Sequence, residues 1–434
     1  MSFSSQSLSR AILHIDADSF FASCEVAKDP KLKGKSVITG LERGIASSLS
    51  YEAKARGVKR GMSLREIRSI CPDAIFLPSD YESYSLYSLR MFNIVRRFTP
   101  DVEEYSIDEC FADLTGLRRP LKMSYEKMAE KIKESLDEEL GMTFSLGLAP
   151  TKVLAKLGSN WNKPSGLTVI SQTDINRYLA QTKLNKVWGI GPQTTALLNK
   201  YGITTALEFI QRDSTWIQAK LSKPYYEIWQ ELRGDLVYPV TKEKKSSYGS
   251  ISKTKTFTPA SNDSSYIFSQ LSKNTENACI KLRRYHLATK KFFFFLKTQD
   301  FKYQSFECKL NRLSDNPIEI IQMIDEYFAK IFSPSQIFRA TGIVLMDLQP
   351  NTLKQADLFN QYIKAEKISK IFTSVDQMAK SYGKHSLFLG SSFLAMTGNQ
   401  HHNSRQTPSD RKTNLFKGET ERKRLALPFL GEVK

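Results

Sequence analysis

The chain has 434 residues, enough for three or four domains, and its 41% hydrophobic and 25% charged content is that of a soluble globular protein. A formal charge of +18 favours a polyanionic partner, either nucleic acid or an acidic membrane surface. No apolar run approaches membrane-spanning length, and no hydrophobic signal core follows the Ser-rich start. Cys24, Cys71, Cys110, Cys279 and Cys308 are scattered without Cys-x-x-Cys spacing, which argues against a zinc site or disulfide frame and fits a reducing cytosol.

The run Ala11-Ile12-Leu13-His14-Ile15 reads as a buried strand that delivers Asp16 at its exposed end. A strand follows at 36–39, helices at 51–55 and 63–70, and a long helix at 81–98 once Pro72 and Pro78 are passed. Residues 102–114 read as a hairpin with Asp108-Glu109 at or near its turn. Adjacent carboxylates repel, so a buried pair is costly unless cations neutralise it. Three acids at the tips of neighbouring strands suit two magnesium ions, which can stabilise the attacking and leaving oxygens of an in-line phosphoryl displacement. Exposed turns also carry acids for no such reason, so the pair alone decides nothing. An amphipathic helix at 124–140 and a strand at 142–148 come next, and Pro150-Thr151 opens a short helix with Thr151 as its cap.

A second unit begins near Ser171. Its centre, Val187-Trp188-Gly189-Ile190-Gly191-Pro192 ahead of a helix at 193–201, reads as a helix-hairpin-helix. Gly189, Ile190 and Gly191 would let the backbone approach a DNA phosphate; the plain alternative is an ordinary turn between helices. A polar linker at 242–248 leads to strand, helix, strand, strand, helix and strand near 250–258, 267–285, 290–298, 303–310, 321–331 and 340–345. This βαββαβ order predicts a small α/β sandwich with helices on one sheet face and the other free to meet a partner. Lysines and arginines outnumber acids there, so the expected partner is a nucleic-acid backbone, with Lys253 and Lys255 among the contacts. After Pro350 an amphipathic helix at 364–382 carries Ile368, Ile371, Phe372, Val375 and Met378 on one side, and residues 396–413, rich in Asn, Gln, Ser and His, read as disordered. No internal repeat is visible.

Ile15-Asp16-Ala17-Asp18-Ser19-Phe20-Phe21-Ala22, Ser50-Tyr51-Glu52-Ala53, Ser106-Ile107-Asp108-Glu109 and Gly147-Leu148-Ala149-Pro150-Thr151-Lys152-Val153-Leu154-Ala155-Lys156 occur in that order. With Lys163-Pro164-Ser165-Gly166 and the Gly189-Ile190-Gly191 hairpin, they resemble the Y-family (DinB/UmuC-type) translesion DNA polymerases over about residues 10–350. The resemblance implies an α+β multidomain right hand: palm at 1–19 and 80–170, small fingers at 20–79, helical thumb at 171–241, little finger at 249–350, and an extension at 351–434. It also implies low-fidelity, template-directed addition of dNTPs to a primer-template DNA in the cytoplasm, with two Mg2+ ions.

The family's roles transfer residue by residue. Asp16, Asp108 and Glu109 match the catalytic acids, and the Ala17 carbonyl a further metal ligand. Asp18 reads better as a hydrogen-bonding strand end. Phe21 matches an aromatic gate that would collide with a ribose 2′-hydroxyl; its neighbour Phe20 stands with it among the substrate-side residues, though its ring reads as core. Tyr51, Lys54 and Lys163 match positions that hold the incoming triphosphate, and Ser48 would add a hydroxyl. Lysine at 54 departs from the usual arginine and lacks its two-pronged fork. Lys152 and Lys156 would touch DNA or merely solvate their helix. Gln355, Asp357, Leu358 and Phe359 in Gln355-Ala356-Asp357-Leu358-Phe359 resemble the peptide that docks on a sliding clamp. The run 425–429 reads better as a tail packing on its own domain than as a weaker second clamp contact; the extension at 364–394 leans toward UmuC-like relatives rather than the shorter DinB form, which leaves the subgroup open and a UmuD-like accessory protein as a candidate partner. The competing readings are a non-templated nucleotidyl transferase or cyclase with the same palm chemistry, and a catalytically weak family scaffold.

Overall fold

The computed structural model describes residue 8 and residues 10–242, 248–351, 361–382 and 385–397; the clamp-like peptide, the run 425–429 and most of 396–413 lie outside them. The described chain forms two compact units, parted at residues 243–247 within the expected linker.

In the first unit, β1 (Ile12–Ala17) is buried along its whole length and leads through α1 (Phe20–Lys28) into a small sheet. That sheet holds β2 (Val37–Thr39), β3 (Ser48–Leu49) and β4 (Ile75–Leu77), with α2 (Tyr51–Ala55) and α3 (Leu64–Ile70) in its connections. Helix α4 (Tyr81–Arg96) precedes β5 (Val102–Glu104) and β6 (Glu109–Asp113), and the short α5 (Arg118–Leu121) precedes α6 (Tyr125–Leu140). Ser124 caps α6 by accepting from the Lys127 amide, and Gly141 ends it at φ 65°, a conformation glycine adopts without strain. Strand β7 (Phe144–Ala149), α7 (Lys152–Trp161) and β8 (Leu167–Val169) complete a five-stranded sheet of order β5-β6-β1-β7-β8. Its pairings are antiparallel except β7 with β8.

The helix α7 lies almost on the backbone of β7. A Cβ on Gly147 would sit 2.0 Å from the Ala155 carbonyl oxygen, so this position admits glycine alone. Thr151 caps α7, accepting from the Leu154 amide, as the sequence predicts. Beyond β8 come five short helices: α8 (Ile175–Gln181), α9 (Pro192–Lys200), α10 (Ala206–Ile210), α11 (Ser214–Lys220) and α12 (Lys223–Leu232). They share an apolar core with α7, and buried Glu231 fastens them to it: its carboxylate accepts from the Val153, Val237 and Tyr238 amides at 3.2, 2.8 and 2.8 Å.

The second unit has the expected order: β9 (Ile251–Ser261), α13 (Ser264–Arg284), β10 (Leu287–Thr298), β11 (Tyr303–Ser314), α14 (Pro317–Phe328) and β12 (Phe338–Met346). The sheet runs β11-β10-β12-β9, and Phe292, Phe294, Leu296 and Ile343 face the helices. Lys253 pairs with Ile343 on the helix-facing side, beside Lys281 and Arg284, and Lys255 lies near Lys273 of α13. Alternation along β9 puts both lysines on the helical side with Ile251 and Phe257, not on the open face.

Helix α15 (Gln361–Tyr382) buries Phe372 but leaves Ile371 and Met378 exposed, so its apolar stripe is only partly covered. It is tied to α13 through Arg283, which grips Asp376 with two hydrogen bonds of 2.7 and 2.9 Å. A last short helix, α16 (Phe393–Thr397), takes in two residues expected to be disordered; the Ala395 amide bonds to Ser269 on α13. No described helix is long and apolar enough to cross a membrane.

Candidate active site

Strand pairing brings the acids together. Asp16 at the end of β1 stands directly opposite Glu109 at the start of β6, and the Ala17 amide donates to the Asp108 carbonyl at 3.0 Å. The hairpin turn therefore places Asp108 beside the tip of β1, with Ser106 donating to its carboxylate. Asp18 turns away from the acids. It is buried and accepts from Tyr51, Thr143, Ser145 and the Ser165 amide, so it fastens the strand end, as the sequence suggests.

Two lysines supply the positive charge here. Lys163 meets Asp16 at 2.6 Å, and Lys156 from α7 pairs with Glu109. Among the described residues no group of three histidine, cysteine or acid side chains converges on one point in this arrangement. Burial raises the Asp16 carboxyl to about 6 even with Lys163 beside it. Burial acts the same way on Glu109, but His14 and Lys156 outweigh it and hold that group near 2. Asp16 is thus an oxygen ligand short of positive charge. The donor set, three carboxylates and one carbonyl, suits a hard divalent ion.

The raised Asp16 carboxyl has a cost to the fold. Its folded value of about 6 against 3.8 unfolded means that folding favours the protonated form, so stability declines as pH rises from about 4 to about 6 and stays lower above. Asp16→Asn removes this penalty. Denaturant unfolding without metal should show the variant more stable by about 1–3 kcal/mol near pH 7.5, with the gap closing near pH 4; a gap independent of pH contradicts the assignment.

His14 was not singled out by sequence reasoning. It lies two residues before Asp16, hence on the same strand face, and it is fully buried. Its Nδ1 is 2.7 Å from Ser159 Oγ of α7, and its Nε2 is 3.5 Å from Glu109. Burial lowers its pKa to about 4, so the ring is neutral near pH 7. Lys152 and Lys156 do not solvate their helix: Lys152 is buried and bonded to Glu103, as Lys156 is to Glu109.

A second group of side chains faces the site. Ser19, at φ 51°, starts α1 and accepts from Lys54 at 2.7 Å, while Lys54 lies 4.1 Å over the Tyr51 ring. Burial and nearby Lys163 lower the Lys54 pKa, so two cations crowd one place. The Ser48 hydroxyl donates to the Ser19 carbonyl at 3.2 Å and the Tyr51 hydroxyl to Asp18, so both are engaged within the protein. Phe21 is half-buried and stacks on Tyr84 at 4.5 Å and 12°, with Tyr81 edge-on at 5.4 Å. Phe20 is core: it is 4% exposed and packs with Tyr84 and Met91, which corrects its place among substrate-side residues. Gly189, at φ 88°, and Gly191 flank buried Ile190 directly before α9, which starts at Pro192.

A carboxylate-tipped sheet with small fingers, a helical thumb and a separate βαββαβ unit is the architecture of a right-hand polymerase. A solved Y-family DNA polymerase chimera shares the fold, with a TM-score of 0.64 over 78% of this chain and 98% of that one at 23% identity. The impB/mucB/samB family model matches residues 15–160, and the model of that family's C-terminal domain matches 249–358. DNA polymerase IV of Streptococcus pneumoniae serotype 2 is 30% identical over 344 residues, 78% of this chain and 97% of that protein. DNA polymerase IV of Moorella thermoacetica is 31% identical over 379 residues, 86% of this chain and 94% of that one. DNA polymerase IV 1 of Bacillus subtilis is 30% identical over 383 residues, 86% and 91%. The chain belongs to the impB/mucB/samB family of Y-family DNA polymerases.

Proposed function

We propose that this chain extends a primer 3′-hydroxyl past damaged template bases with low fidelity, with Asp16, Asp108, Glu109 and the Ala17 carbonyl holding two Mg2+ ions. As a family member it is a DNA-directed DNA polymerase acting in translesion synthesis. The observation that carries the chemistry is the register of β1 against β6, which sets Asp16 opposite Glu109 with Asp108 alongside. When bound, the ions activate the primer hydroxyl and stabilise charge on the attacking and leaving oxygens.

The chain's own residues do the rest. Lys163 leaves Asp16 and, with Lys54, meets the triphosphate, so the crowding of two cations is relieved by an anion. Glu109 stays oriented between His14 and Lys156. Phe21, backed by Tyr84, closes the space under the sugar. Gly189 and Gly191 expose backbone amides to a DNA phosphate. The palm, fingers, thumb and little finger take the bounds given above, and the peptide 355–359 docks on a sliding clamp in the cytoplasm, with a UmuD-like accessory as a further partner.

Lys54 offers one charge where an arginine would offer a fork. Lys54→Arg should lower the KM for dNTP about fivefold, as expected for one added charge-assisted hydrogen bond; steady-state kinetics with an unchanged KM would remove Lys54 from the site. Running-start extension on damaged and undamaged templates, with and without clamp, tests the whole reading. Products whose sequence ignores the template would favour the non-templated transferase, and no extension at all would favour the scaffold.

A further inference from the structure

The turn that carries Asp108 and Glu109 lies at the edge of its sheet, where β5 pairs with β6 alone among the described strands. Its support comes from two other parts of the first unit. Tyr105, directly before Ser106, sets its ring edge-on to Phe111 of β6 at 5.6 Å and to Trp188 at 5.4 Å. Trp188 stands directly before Gly189 in the hairpin ahead of α9, is half-buried, and has its ring 5.9 Å from that of Phe111.

Lys156 of α7 enters the same cluster. Its ammonium lies 4.9 Å from the centre of the Tyr105 ring and 5.8 Å from that of Trp188 while it pairs with Glu109. A lysine charge rides on a flexible stem and by itself fixes a carboxylate poorly. Two rings that attract the cation narrow the places it can occupy. One ring belongs to the acid-bearing turn and the other to the thumb. Strand β5 has a separate tie: Glu103 is bonded to Lys152 and accepts from the Thr241 amide at 2.7 Å. Loss of the Trp188 ring therefore frees Lys156 without freeing the strand.

We propose that Trp188 is a positioning residue: with Tyr105 it fixes the Lys156 ammonium against Glu109, so the hairpin that meets a DNA phosphate also sets the direction of the Glu109 carboxylate. This rests on the polymerase reading and deepens it. A misdirected reacting group slows the chemical step more than it weakens binding.

The test is single-turnover primer extension by the full chain over a range of dNTP concentrations, with DNA affinity measured by anisotropy. Trp188→Ala should lower the maximal rate at least about tenfold, with DNA and dNTP affinities moving less than about threefold. Trp188→Phe keeps a ring and should recover most of that rate. A fraction of misfolded protein would lower the amplitude and leave the rate constant alone, so the two causes separate. Tyr105→Leu, at a ring 42% exposed, should lower the rate in the same direction with little cost to the core. In a Lys156→Met background, Trp188→Ala should cost less than about a further twofold, because the group it acts through is gone.

A parent that extends primers and a Trp188→Ala variant with the parent's rate would overturn the proposal alone. So would the full loss persisting without Lys156, or a loss of DNA affinity as large as the loss of rate, which would make Trp188 a DNA contact. A parent that extends no primer would overturn the polymerase reading and this proposal with it.

Discussion

Asp108→Ala lowers single-turnover primer extension by about three orders of magnitude or more, while DNA affinity stays near that of the parent. Several kcal/mol of transition-state stabilisation pass through the metal ions of such a site, and about 4 kcal/mol is a factor near a thousand. The fold should tolerate the change. Asp108 is half-buried, its carboxylate accepts from Ser106, and its tie to β1 runs through the backbone carbonyl that alanine retains. Activity and stability are therefore separable at this position. Extension within a few-fold of the parent at saturating DNA and dNTP would remove Asp108 from the chemistry.

Phe21→Ala opens the space beneath the sugar and lowers discrimination between matched deoxy- and ribonucleotides, read as the ratio of kcat/KM values, by roughly a hundredfold. In the proposed role, selectivity would depend on a ring that cannot yield. Phe21 is stacked on Tyr84, which is itself buried and donates its hydroxyl to Glu25 at 2.7 Å. Exclusion of one oxygen then follows from rigidity rather than attraction. Removing the ring from a partly buried position costs about 2 kcal/mol of stability, so the assay belongs at moderate temperature. Phe21→Leu should restore most of the discrimination. A ratio unchanged in Phe21→Ala would make that ring a packing element like Phe20.

The acids were legible in the sequence because Asp16 ends an apolar run and Asp108-Glu109 fall at a hairpin turn, so that neighbouring strands bring them to one edge. The same holds for Ser124 and Thr151, whose hydroxyls cap helices by local geometry alone. Pairings across distance were not legible. Lys156 and Glu109 are 47 residues apart, and only the close seating of α7 on β7, permitted by Gly147, brings them together. His14 carried a local signal, a polar residue on the Asp16 face of a buried strand, but its partner Ser159 lies 145 residues away. The helices α8 and α10–α12 have five to ten residues each and take their stability from a shared core rather than from propensity. The side on which Lys253 and Lys255 fall depends on register, where one residue of slip exchanges the faces.

The central claim is that Asp16 and the Asp108-Glu109 corner seat two divalent ions against a nucleotide. Crystals of the chain with primer–template, a non-hydrolysable dNTP and Mn2+ would locate the ions by anomalous scattering. Two peaks within ligand distance of Asp16, Asp108 and the Ala17 carbonyl, with Lys163 moved from Asp16 to the triphosphate, are the predicted result. Peaks remote from these oxygens, with Asp16 still held by Lys163, would contradict it.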